Sequence, residues 1–344
     1  MFKTRITKIL GIQYPIIQGA MLRASLAELA AAVSNAGGLG MMASAIFPSA
    51  KELRDEIRKA KSLTDRPFGV NINLFPATRP IPNEEFIDTL IEEGVGVVST
   101  SGVRSPEPYM EQLKKGNVKV IHKVTTVRHA IHGEHVGADI IGVTGFEQGG
   151  NMGMDDVTTF VIVPRVVDNI KVPVLAGGGI ADGRGFVAAL ALGAEGVVIG
   201  TRFLATHECN VHPKYKEWLL RSTERDTVVV QRSIQNTHRV LKNEASRKVQ
   251  EMETRGAPLE EFFTVIKGEM GRKVMEEGEL DAGMALCGLN VGLIREVVSV
   301  KEFIDSIVNQ AQDIGGRLQS LRVLTPSHRA SARLLSKPDN SKGV

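Results

Sequence analysis

The chain has 344 residues, 42% apolar and 24% charged, a composition that suits a soluble globular fold and excludes wholesale disorder. Its net charge of +3 belongs to the C-terminus: residues 322–344 hold Arg322, Arg329, Arg333, Lys337 and Lys342 against Asp339, which leaves −1 for residues 1–321 and no basic surplus for nucleic acid. No apolar run reaches the roughly 18 residues of a membrane span, the start lacks a signal-peptide core, and Cys209 and Cys287, with no CxxC pair, predict a reduced, cytoplasmic protein without a zinc site.

In chain order, short β-branched runs at 14–18, 38–42, 68–73, 95–99, 118–122, 140–144, 172–176 and 195–199 predict eight strands. Amphipathic stretches at 25–35, 50–62, 83–93, 127–136, 157–169 and 183–192 predict helices between them. Strand-to-strand spacing of roughly 21 to 34 residues is that of repeated βα units. Near-continuous apolar strands imply a sheet covered on both faces, hence parallel. A doubly wound sheet has fewer strands and one Gly-rich first turn. Eight units with glycine after nearly every strand predict a closed (β/α)8 TIM barrel, residues 1–207.

After Thr201 the rhythm changes. Residues 208–288 are charged and helix-like (214–222, 240–254 and 259–270), and predict a helical lid inserted after the eighth strand, over the barrel mouth. Residues 289–321 predict closing helices on the barrel exterior, and 322–344 a basic flexible tail.

Glycines Gly177, Gly178 and Gly179 follow the seventh strand; Gly200 and Thr201 follow the eighth. In barrels these two loops commonly hold a phosphate, and glycine lets an oxygen approach the backbone where a Cβ would not fit. Gly149, Gly150, Asn151 and Gly153 lie after the sixth strand, Lys123 after the fifth, Asn71 and Asn73 close the third, and Gln18, Ala20 and Met21 follow the first. Amides, one lysine and backbone donors at strand C-termini suit the edge of a flavin, which presents mixed donors and acceptors.

Other features carry less. The stretch 36–40 grazes a dinucleotide fingerprint but lacks its last glycine and its acid. His129, His132 and His135 share one helix on the outer ring and read as a solvated face, not a metal site. Cys209 has His207 and His212 nearby but neither an orienting acid nor an oxyanion turn.

From residue 4 to 308 the chain resembles the nitronate monooxygenase (2-nitropropane dioxygenase) family of FMN-dependent TIM barrels, which also includes flavin enoyl-thioester reductases. The resemblance rests on 15–21, 36–40, 67–71, 120–123, 145–147, 176–179, 181–185 and 200–203. Stretches 120–123, 145–147 and 200–209 are most similar to the bacterial NADH:quinone reductase branch. It implies FMN contacts at Gln18, Ala20, Met21, Asn73, Lys123, Gly149, Gly150, Gly177, Gly178, Gly179, Gly200 and Thr201, NAD(P)H as co-substrate, and a small-molecule partner: a quinone, a nitronate or an enoyl thioester. A homo-oligomer is left open; nucleic acid and membrane are not expected.

One departure matters. The family that the chain resembles usually carries histidine in this loop, where Asn151 stands here. Asparagine donates a hydrogen bond but does not titrate. On sequence, Asn151 and Lys123 are therefore the catalytic candidates, and the expected chemistry is one without a protein proton shuttle at residue 151: hydride passed from NAD(P)H through flavin N5 to a quinone-like acceptor.

Overall fold

All eight apolar runs form strands: β1 (Ile16–Gln18), β2 (Gly40–Ala43), β3 (Phe68–Asn73), β4 (Val97–Ser101), β5 (Lys119–Val124), β6 (Ile140–Thr144), β8 (Val174–Gly177) and β9 (Gly196–Ile199). A two-residue strand, β7 (Gly150–Asn151), lies in the loop after β6. The structure, a computed structural model, describes residues 2–75 and 81–321; the tail expected at 322–344 lies outside the described residues.

The eight strands are parallel, in the order β1-β9-β8-β6-β5-β4-β3-β2, and the Ile17–Leu39 bridge joins β1 to the segment leading into β2. The architecture is a (β/α)8 TIM barrel. The strand period of two divides each strand between layers. Val70, Val98, Val120, Ile141, Val174 and Val197 pack outward against the helices. Ile17, Met41, Val97, Ile121, Ile140 and Leu175 fill the lumen, closed below by Ile6 and Leu10 of helix Arg5–Leu10. Each fully buried aliphatic side chain of this plug contributes about 1.5–3 kcal/mol.

The same period sets the mouth. Continuing each lumen column upward in steps of two leads from Val97 to Ser99 and Ser101, from Ile121 to Lys123, and from Ile140 to Gly142 and Thr144. Polar side chains thus replace apolar ones going up to the C-terminal rim.

The helices expected between strands are present, each within a few residues of the predicted ends, and a further one, Glu107–Lys115, spans β4 to β5. It buries only Met110 and Leu113, an apolar stripe too thin to announce a helix. Among the described residues no helix is long and apolar enough to cross a membrane.

The segment after β9 holds the expected helices (Pro213–Arg221, Glu244–Thr254, Leu259–Ile266) and also a hairpin, β10 (Thr227–Val230) and β11 (His238–Leu241). The helix expected from residue 240 starts instead at Glu244, behind an Asn243 cap, because Val240 and Leu241 pair with Val228 and Thr227. β11 also pairs antiparallel with β7, so the hairpin is stitched to the loop after β6. Arg239 fastens it: its guanidinium lies 4.4 Å from the Phe146 ring centroid and donates to the Phe146 carbonyl (3.1 and 3.3 Å) and to the Thr227 hydroxyl (3.1 Å). The long helix Val300–Ser320 packs against helix Gly183–Ala191, where Gly183 N–H donates to Gln310 Oε1 at 3.0 Å.

Candidate functional site

A cavity of about 370 Å³ opens at the C-terminal rim of the barrel. That is within the ~300–1,000 Å³ common for cofactor and ligand sites. Gln18, Ala20, Met21, Asn73, Lys123, Gly149, Gly150, Asn151, Gly178, Gly179, Gly200 and Thr201 line it, each a residue singled out from sequence. Gly177, the last residue of β8, sits beside it: its carbonyl accepts from Gly145 N–H (3.0 Å) and an added Cβ would meet Thr144 Cγ2, on the cavity wall, at 2.6 Å. Gln18 changes role. It is fully buried, its Oε1 accepts from Met41 N–H (2.9 Å) and its Nε2 donates to Ser25 Oγ (2.8 Å). Its amide holds the β1 loop and is not offered to the cavity.

The glycine loops form a cradle. Gly178 and Gly179 have φ of +96° and +77°, which only glycine adopts without strain. A Cβ on Gly178 would stand 2.9 Å from Thr159 Oγ1 and 3.0 Å from the Gly145 carbonyl oxygen. The N–H groups of Gly178, Gly179 and Gly200 donate to no atom among the described residues. An anion against this wall would find donors not spent elsewhere among the described residues. Thr201 Oγ1 accepts from Gly288 N–H (3.0 Å), which ties the end of the inserted segment to this wall.

Lys123 stands across the lumen from these loops. Burial alone acts on its ammonium, with no carboxylate to offset it, and lowers its pKa from 10.5 to about 8. Asn71 Nδ2 is engaged by the Ser99 carbonyl and Ser101 Oγ, both at 3.1 Å. Among the described residues Gln148 Nε2, buried on the cavity wall, has no hydrogen-bond partner. An orphaned donor of that kind costs about 1–3 kcal/mol unless a ligand satisfies it.

These features fit an FMN: donors for a phosphate on one wall, and an unpaired cation and an unpartnered amide for a polar ring edge on another. The sequence reading missed Gln148, and it also missed Asn236 and His238, which reach the cavity from the inserted hairpin. The run Thr227–Val230, four β-branched residues together, was the signal for that hairpin.

His238 pairs in register with Asn151 across β11 and β7. Its Nδ1 lies 2.6 Å from the Asn236 carbonyl oxygen, and Asn151 Nδ2 donates to Asn236 Oδ1 at 3.2 Å. A carbonyl only accepts, so Nδ1 carries the hydrogen. With asparagine at 151, the imidazole that lines the cavity is that of His238.

Other titratable side chains lie outside the cavity lining. His122 is buried among barrel helices with Nδ1 2.8 Å from Thr100 Oγ1, and burial lowers its pKa to about 4. His132 Nε2 is 2.8 Å from Ser105 Oγ on the outer ring. Cys209 and Cys287 are buried thiols, pushed up by desolvation, Cys209 to about 11.

Comparisons with known proteins identify relatives of the chain. A family model described as nitronate monooxygenase matches residues 3–310. A probable nitronate monooxygenase of Staphylococcus saprophyticus is 33% identical, over 91% of this chain and 99% of that protein. A (3aS,4S,5R,7aS)-5-hydroxy-7a-methyl-1-oxo-octahydro-1H-indene-4-carboxyl-CoA dehydrogenase of Rhodococcus jostii is 33% identical, over 90% and 96%. Among solved structures, FabK from Thermotoga maritima superposes with a TM-score of 0.88 at 40% identity, covering 94% of this chain and all of that one.

Proposed function

The chain belongs to the nitronate monooxygenase family of oxidoreductases, and from that premise we propose that it binds FMN and uses NAD(P)H to reduce a conjugated carbonyl acceptor, a quinone being the first candidate. The observation that carries the reading is one cavity that holds both the cradle of unspent N–H groups at Gly178, Gly179 and Gly200 and the unpaired Lys123.

FMN bound here supplies two-electron hydride chemistry at its N5. The chain's part is to hold and tune. Gly178, Gly179, Gly200 and Thr201 would take the phosphate, with Ala20, Met21, Gly149 and Gly150 completing the walls. Lys123 and Gln148 would place positive charge and a donor against the polar ring edge, which favours added electrons. Asn151 Nδ2 would donate to the acceptor's carbonyl oxygen.

Two named relatives favour specific variants. The Rhodococcus dehydrogenase is named for a CoA thioester, which supports a CoA thioester as the substrate class. The staphylococcal relative supports oxidation of a nitronate. Anaerobic mixing of the purified protein with NADH, NADPH and a nitronate in parallel tests these readings. Rapid bleaching of the flavin by a nicotinamide, followed by reoxidation with a quinone or enoyl thioester, is the expected result. Bleaching by the nitronate alone would replace it with nitronate oxidation.

A further inference from the structure

We propose that His238 is the proton-transfer residue of this site, so that the imidazole is delivered by the inserted hairpin instead of by the loop after β6. The inference rests on the acceptor-reduction reading above and names the group that completes it.

Three observations carry it. His238 and Asn151 are directly paired in an antiparallel ladder, so their side chains leave the sheet on the same face, with Cβ atoms about 4.5–5.5 Å apart. Both line the cavity. An imidazole at 238 therefore enters the space that one at 151 would serve. The second observation is orientation: Nδ1–H is held on the Asn236 carbonyl at 2.6 Å, which leaves Nε2 as the working nitrogen. The third is that Asn236 bonds both neighbours, through its carbonyl to His238 and through Oδ1 to Asn151 at 3.2 Å, while its own Nδ2 donates to Gln231 Oε1 at 2.8 Å. The cluster is a positioned unit rather than a loose surface histidine.

The groups around His238 settle its charge. Burial lowers its pKa, the Asn236 carbonyl opposes this, and the Lys123 cation on β5 lowers it further. Asn151 and Asn236 are neutral, and Arg239, next on the strand, is turned to Phe146. The resting imidazole is neutral. Hydride addition to a conjugated C=C–C=O acceptor pushes the π pair onto the α-carbon and oxygen, and that negative charge favours the imidazolium. Solvent first protonates Nε2 to give the imidazolium, and that Nε2–H bond then breaks as a C–H bond forms at the α-carbon, or an O–H bond on a quinone. The neutral ring remains on Asn236, and solvent supplies the next proton. Hydride plus proton balances the two-electron reduction.

The test separates the half-reactions. In His238→Gln, reoxidation by the acceptor should slow about 10²–10⁴-fold, far more than flavin reduction by NAD(P)H, and should lose its histidine titration. The double variant His238→Gln with Asn151→His should regain at least about tenfold of that rate and the titration. Independently of turnover, ¹⁵N-histidine NMR of the unmodified protein should show residue 238 as the Nδ1–H tautomer, titrating below an ordinary histidine. Unchanged acceptor reoxidation in His238→Gln, or an Nε2–H tautomer, would overturn the assignment. If no nicotinamide bleaches the unmodified protein, it is the acceptor-reductase reading that falls, and the tautomer still judges His238.

Discussion

Thr159 donates twice to the Glu147 carboxylate, from its backbone N–H at 2.9 Å and from its hydroxyl at 2.8 Å. The pair joins the loop after β6 to the start of helix Thr159–Val167, and the same hydroxyl stands 3.1 Å from the Gly178 carbonyl oxygen. Two loops of the cavity are thus braced by one side chain. Thr159→Val keeps the shape and removes the hydroxyl. It should cost about 1–3 kcal/mol, the usual range for a partly buried acceptor that loses a donor, and it should weaken FMN retention. Urea denaturation with an unchanged midpoint would show that the brace is decorative.

Gly178 and Gly200 should separate folding from cofactor binding. Any side chain at Gly178 is strained by its φ of +96° and crowded by Thr159 and Gly145, so Gly178→Ala should lower Tm as well as FMN retention. At Gly200, φ is −108° and an added Cβ finds only the Met21 side chain, at 3.6 Å. Gly200→Ala should therefore leave Tm nearly unchanged while its methyl group obstructs the anion. Equilibrium dialysis that found full FMN affinity in Gly200→Ala would move the phosphate away from this wall.

Lys123 makes the cofactor-free protein pH-dependent in a stated direction. Its pKa is near 8 in the fold and near 10.5 unfolded, so between those values the unfolded chain binds a proton that the folded chain does not. Stability of the cofactor-free protein should rise with pH through that window and carry the full penalty below it, about 3 kcal/mol at ~1.4 kcal/mol per unit. Lys123→Met should remove the rise and stabilise the cofactor-free protein at pH 7. In the loaded protein the same change should lower the flavin potential and slow reduction by NAD(P)H. Matching denaturation curves for both proteins at pH 7 and pH 10 would contradict this account.

Both thiols should be silent in the native state. Burial raises the Cys209 pKa to about 11 and pushes Cys287 up as well, so little thiolate exists at pH 8. Native protein should react negligibly with a thiol reagent at pH 8, and denatured protein should release both equivalents. Fast native labelling would reopen Cys209 as a nucleophile.

What the sequence determined by itself was the barrel and most of its rim. A βα unit is written locally, in a period of two followed by a period near 3.6, and eight such units with glycines at their strand ends admit one closed arrangement. For the same reason Lys123 and Asn73 were legible at the mouth, since each sits a fixed number of steps above a lumen residue of its own strand. Only the tertiary structure decided the rest. Gln18 was spent on Met41 and Ser25, partners that only folding brings to it. His238 became part of the site through a strand pairing with Asn151 in a loop far away along the chain. Pairing between distant strands is set by which edges meet after the barrel closes, and no local period encodes it.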